Sequence, residues 1–109
     1  GVTGPATMIQ SGFRRSKKYR GNFEVLVQHG RAIYHYWRDN SAPDLPWHRG
    51  VCISDKATGS AVMMESHFGK SKKRPGNFEV LIPEGDDLIG YWRDNGPGLH
   101  WNRIPGVAI

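Results

Sequence analysis

Four tryptophans and two copies of one charged tripeptide are the residues best equipped for chemistry. Trp47 and Trp101 each follow a loop, and an exposed indole face can stack on the apolar C–H face of a pyranose. Near them stand Arg38-Asp39-Asn40 and Arg93-Asp94-Asn95. Arginine supplies several donors, aspartate accepts and asparagine does both, which suits a ligand made of hydroxyls. Each group also has a structural reading. Trp37 and Trp92 lie within a strand-like run and favour core packing, whereas Trp47 and Trp101 leave both readings open. Asp and Asn can equally cap a turn while the arginine pairs with Glu24 or Glu79.

Charge is the second resource. The net charge is +5 and the isoelectric point about 9.7. Much of the basic content sits in two runs, residues 14–20 and 70–74. Arg15, Lys17, Lys18, Lys72 and Lys73 could form an anion-binding patch for a sulfated glycan. A solvated loop is the competing reading. Nucleic acid is disfavoured, because only Tyr19 interleaves the runs with an aromatic and it has no counterpart in the second run.

Several functions lack the residues they need. One cysteine, Cys52, rules out an intrachain disulfide and a zinc site built on several thiolates. Its apolar neighbours Val51 and Ile53 predict a buried thiol. The five histidines have no repeated spacing, and no Asp-x-Asp-x-Asp-Gly loop is present, so neither a metal nor another cofactor is expected. There is no Gly-x-Ser-x-Gly, no phosphate loop and no distinctive carboxylate pair, so an enzyme is not expected. No stretch is apolar enough to span a membrane as a helix.

The elements that must position these residues are set by an internal duplication. Shifted by about 55 residues, Gly4–Asn40 falls on Gly59–Asn95, with about 20 of roughly 37 positions identical. Gly21-Asn22-Phe23-Glu24-Val25-Leu26 returns as Gly76-Asn77-Phe78-Glu79-Val80-Leu81, and Tyr36-Trp37-Arg38-Asp39-Asn40 as Tyr91-Trp92-Arg93-Asp94-Asn95. The units are 1–58 and 59–109. Each reads as four strands. In the first unit they are Ala6–Ser11, Asn22–Gln28, Ala32–Arg38 and Trp47–Ser54. In the second they are Ala61–Ser66, Asn77–Ile82, Leu88–Arg93 and Trp101–Ile109. His29-Gly30 and Glu84-Gly85 read as hairpin turns. Strands two and three carry large side chains on both faces, as a sheet between two other sheets requires. The expected fold is all-β, with two four-stranded antiparallel sheets built as β-propeller blades.

Gly-Pro-Ala-x-x-Ile-Gln-Ser, Gly-Asn-Phe-Glu-Val-Leu, Tyr-Trp-Arg-Asp-Asn and the following Trp resemble blades of bacterial and fungal propeller lectins of the tectonin and Photorhabdus-lectin type. The resemblance covers nearly all of residues 4–109. It implies a non-enzymatic, multivalent, carbohydrate-binding module with a glycan as ligand. That broad group includes two-blade lectins that trimerise into six-bladed rings. Two bare sheet faces lead to the same expectation of a homo-oligomer, a trimer first and a tetramer next, or of completion by a longer parent chain. A start at Gly1 without Met suggests a processed, excised or engineered product. A purely structural or protein-interacting propeller segment is the second reading, and an anionic-glycan binder using the basic loops the third.

Overall fold

The computed structural model describes residues 1–13, 15, 16, 18–96 and 98–108, with side chains as far as Ile104. Eight strands form: β1 (Thr7–Gln10), β2 (Phe23–His29), β3 (Ala32–Arg38), β4 (Trp47–Ser54), β5 (Val62–Glu65), β6 (Phe78–Glu84), β7 (Asp87–Arg93) and β8 (Trp101–Ala108). They make two antiparallel four-stranded sheets, β1-β2-β3-β4 and β5-β6-β7-β8, and the all-β expectation holds. The Ile109 end of the predicted last strand lies outside the described residues.

The two units repeat in register as well as in sequence. Phe23 pairs with Arg38 and Arg38 with Trp47, and Phe78, Arg93 and Trp101 repeat the row. Residues opposite one another across a ladder share a face of the sheet. Each sheet therefore has two different faces. One carries Glu24, Leu26, Ile33 and His35, repeated as Glu79, Leu81, Leu88 and Gly90. The other carries Phe23, Val25, Tyr34 and Tyr36, repeated as Phe78, Val80, Ile89 and Tyr91.

The sheets pack front to back. The Glu24 face of the first sheet covers the Phe78 face of the second, and Leu26, Ile33, Phe78, Val80, Ile82 and Ile89 are each no more than 2% exposed. His35 meets the rings of Phe78 and Trp101 edge-on, with centroids 6.2 and 6.0 Å away. Among the described residues, each sheet is covered on one face.

Three local features differ from the sequence expectation. The hairpin tips are Gly30-Arg31 and Gly85-Asp86, one residue later than read, because His29 pairs with Ala32 and Glu84 with Asp87. Each glycine has positive φ, 59° and 66°, as the first position of a tight loop demands. β6 runs past the proline at which the reading stopped. The neighbouring β5 ends its pairing at Leu81, so Pro83 removes no ladder bond on that side. Cys52 is exposed rather than buried, since it lies on the uncovered face of an outer strand.

Gly21 and Gly76 are fixed by contact. A Cβ there would lie 1.7 Å from the Ser11 carbonyl oxygen and 1.6 Å from that of Ser66. This approach pins the start of β2 and β6 to the long loop before it, and Ser11 N–H donates to Asn22 O at 2.8 Å.

Candidate binding cleft

The β1–β2 and β3–β4 loops leave from the same end of each sheet, and there the two sheets part. A cleft of about 320 Å3 opens between Glu24, His35 and Trp37 on one side and Arg93 and Leu99 on the other, with Phe13 and Asn22 from the first long loop. Aromatic and aliphatic walls with a few converging polar groups make a site suited to a small ligand.

At the base of the cleft is a buried hydrogen-bonded chain. Ser11 Oγ–H donates to Glu24 Oε2 at 2.8 Å, and His35 Nε2 donates to Glu24 Oε1 at 2.7 Å. The carboxylate stands between hydroxyl and imidazole, so the chain holds the carboxylate in place and does not pair a serine nucleophile with a histidine base. The second unit keeps the serine–glutamate bond, Ser66 to Glu79 at 3.0 Å, but has Gly90 where His35 stands.

Arg93 faces the same chain from the other sheet. Its guanidinium lies 4.6 Å from the Phe78 ring centroid, 5.4 Å from Phe13 and 5.7 Å from Trp101. Burial works against its charge and lowers its pKa, while the negative charge of Glu24 acts in the opposite sense. Arg93 thus presents a cation in an aromatic cage at the back of the cleft. On the front, Trp37 stacks on His48 with centroids 4.1 Å apart and planes at 22°, which fixes the indole plane.

Leu99 is the strained member. Its φ is +49°, and Leu45, at the same place in the other unit, has φ +48°. Branched aliphatic residues rarely adopt this backbone, and both leucines are nearly half exposed. The same strained backbone recurs at the same place in both units.

The residues singled out from sequence take different places. Arg93 reaches the cleft. Asn95 and Asn40 tie loops together: their side-chain amides donate to Gly76 O at 2.7 Å and Gly21 O at 2.8 Å, and each accepts from its own arginine, Arg93 or Arg38. Asp39 accepts from Ser41 and Asp94 from the Gly96 N–H, both as turn caps. Trp101 lies half-buried beneath Arg93 and against the core, away from the cleft mouth. Trp47 is 51% exposed on the uncovered Phe23 face, with Arg38 above it.

The basic loops meet on the same rim. Arg15, Lys72 and Lys73, with Lys70 and Arg74, surround a second hollow of about 380 Å3 that also includes Glu65. Lys18 stays with its own loop, over Tyr19. Lys17 lies outside the described residues. Among the described residues no cluster of three or more His, Cys, Asp or Glu could hold a metal ion.

Sequence reasoning missed Phe13, Asn22, Glu24, His35 and Leu99. One signal was available: Phe13, Asn22, Glu24 and Leu99 recur as Phe68, Asn77, Glu79 and Leu45, but they share that retention with glycines, lysines and turn residues that do not reach the cleft. His35 gave none, because it is unique to its unit. No protein-family model, no curated protein and no solved structure matches the chain.

Proposed function

We propose that the chain is a non-enzymatic binding module whose inter-sheet cleft takes one sugar unit of a glycan, in a propeller-like arrangement. The observation that carries this reading is the composition of the cleft. Trp37 and Leu99 offer an apolar wall, and the polar side chains of Asn22, Glu24, His35 and Arg93 line the rest of the cleft. A pyranose has one apolar face and an edge of hydroxyls, so it fits both kinds of wall at once. A serine that donates to Glu24 rather than to His35 supports binding over hydrolysis.

A panel of immobilised neutral and sulfated glycans probed with the wild-type protein tests the reading. Retention of neutral glycans at moderate salt supports it. Silence across the panel overturns it.

A second reading has its own observation. The hollow between Arg15 and Lys70–Arg74 gathers positive charge beside the cleft. It would favour sulfated over neutral glycans, with retention that falls steeply as salt rises.

A further inference from the structure

The cleft continues into further depressions along the long-loop rim. Phe13 lines both the cleft and the basic hollow beside it. Arg15 lines both that hollow and a second one of about 370 Å3, formed with Gln10, Ser16, Tyr19 and Arg20. Two shared side chains therefore join these depressions into one track, in the order cleft, first hollow, second hollow.

Hydrogen bonds hold the track in shape. Gly12 N–H donates to Glu65 Oε1 at 2.7 Å, which carries the first basic loop across to the second unit. Both basic loops then close the same turn. Ser16 N–H donates to Tyr19 O at 2.8 Å, and Ser71 N–H to Arg74 O at 3.2 Å. Each serine hydroxyl caps its turn from inside. Ser16 Oγ accepts from the Lys18 and Tyr19 N–H groups and Ser71 Oγ from the Lys73 N–H, each at 3.2 Å. The turn at Ser71 leaves Lys72 and Lys73 at its tip, both exposed.

Charge changes along the track. In the cleft, Glu24 and Arg93 offset one another, so an uncharged ligand residue suits it. In the first hollow, Glu65 stands among Arg15, Lys70, Lys72, Lys73 and Arg74. Arg74 is already engaged, with Nε donating to Gly69 O at 2.7 Å and Nη1 3.9 Å from Asp94 Oδ1. Among the described residues no carboxylate pairs with Arg15, Lys70, Lys72 or Lys73, and none lines the second hollow, which adds Arg20. A surplus of positive charge fixed in a concave surface draws in a polyanion.

We infer that the track binds one linear glycan in which neutral and sulfated residues alternate. An uncharged residue sits in the cleft, the sulfate of its neighbour in the first hollow, and a sulfate further along the chain in the second. The inference rests on the sugar reading of the cleft and extends it from one residue to a chain. It differs from charge acting alone, because cleft and hollows must hold the same molecule. Nucleic acid fits less well. It carries a phosphate on every residue and stacks successive bases on aromatic rings, whereas among the described residues the hollows beyond Phe13 offer Tyr19 alone.

Biolayer interferometry on immobilised oligosaccharides of galactan, mannan and keratan type tests it. Each uncharged chain is paired with the same chain sulfated on alternate residues, as disaccharide and as octasaccharide. For the wild type, a chain retained in its neutral form is expected to bind at least about ten-fold tighter when sulfated. In a variant carrying Lys72→Glu with Lys73→Glu that gain is expected to disappear. In Arg20→Glu the sulfated octasaccharide is expected to lose about five-fold relative to the sulfated disaccharide, because only the longer chain reaches the second hollow. All three positions are exposed, and a wild-type circular dichroism spectrum shows that each variant is folded. Neutral chains retained with no gain on sulfation overturn this inference and leave the sugar reading of the cleft intact. No retention of any neutral chain overturns both. A loss in Arg20→Glu that is equal for the two lengths also overturns the inference, since charge acting at a distance would weaken both alike. So does a single-stranded oligonucleotide that binds as tightly as the sulfated octasaccharide.

Discussion

Gly90 lies directly against Ile104, whose Cδ1 is 3.4 Å from the point where Gly90 would carry a Cβ, and in the first unit the same two places hold His35 and Gly50. The large residue has changed strands while the volume of the pair has been kept. Gly90→His alone is expected to crowd Ile104 and lower stability by about 1–3 kcal/mol. Gly90→His with Ile104→Gly is expected to restore it. Urea midpoints of the two variants check this, and equal behaviour would mean that the exchange is incidental.

The glycines separate backbone cost from contact cost. Gly30 has φ +59° with open space where a Cβ would be, so Gly30→Val should cost about 1–2 kcal/mol through the left-handed backbone. Gly21→Ala should cost more, because its Cβ would fall 1.7 Å from the Ser11 oxygen and the long loop would have to leave β2. Urea midpoints of the two variants give the order.

Leu99→Gly is expected to leave stability unchanged or raise it by about 1 kcal/mol, because φ +49° suits glycine better than leucine. The same change should weaken retention on neutral glycans, since it removes one wall of the cleft. A melting temperature and a binding curve on one preparation report both. A loss of stability with unchanged binding would make Leu99 a packing residue.

Acid should loosen the contact between the sheets. Burial pushes the Glu84 carboxyl up, but hydrogen bonds from Tyr91 and Ser54 and the charge of Arg103 together hold it below its ordinary 4.5. Ser54 Oγ–H donates to Glu84 Oε2 at 2.9 Å across the two sheets, and Tyr91 Oη–H donates to the same oxygen. A carboxylate whose folded pKa is depressed contributes stability that is present above its unfolded pKa and lost as pH falls through the folded one. Unfolding midpoints taken from about pH 6 down to about pH 3 should therefore fall, and fall less for Glu84→Gln. Parallel curves for the two proteins would contradict the assignment.

Much of this architecture was legible because it depends on repeated local patterns. Glycines, the Tyr-Trp-Arg-Asp-Asn run and the shift of about 55 residues gave eight strands, and β3 and β4 fell within the bounds read from sequence. Pro83 hid the end of β6, because whether a proline costs a bond depends on how far the neighbouring strand reaches. The cleft was less legible. Asn40 and Asn95 are retained in both units and are polar, which is what a ligand site and a loop tie have in common; their bonds to Gly21 and Gly76 emerge only once the loops meet. His35 and Leu99 come from different units, and no spacing within either one brings them together.

The most direct test of the cleft is the glycan panel run with three proteins: wild type, Leu99→Gly, and a variant carrying Lys72→Glu with Lys73→Glu. The account predicts that wild type and the charge variant retain the same neutral glycans, and that Leu99→Gly, equally folded, retains them weakly or not at all. Retention of sulfated glycans alone, lost in the charge variant and intact in Leu99→Gly, would contradict it and place the function on the basic loops.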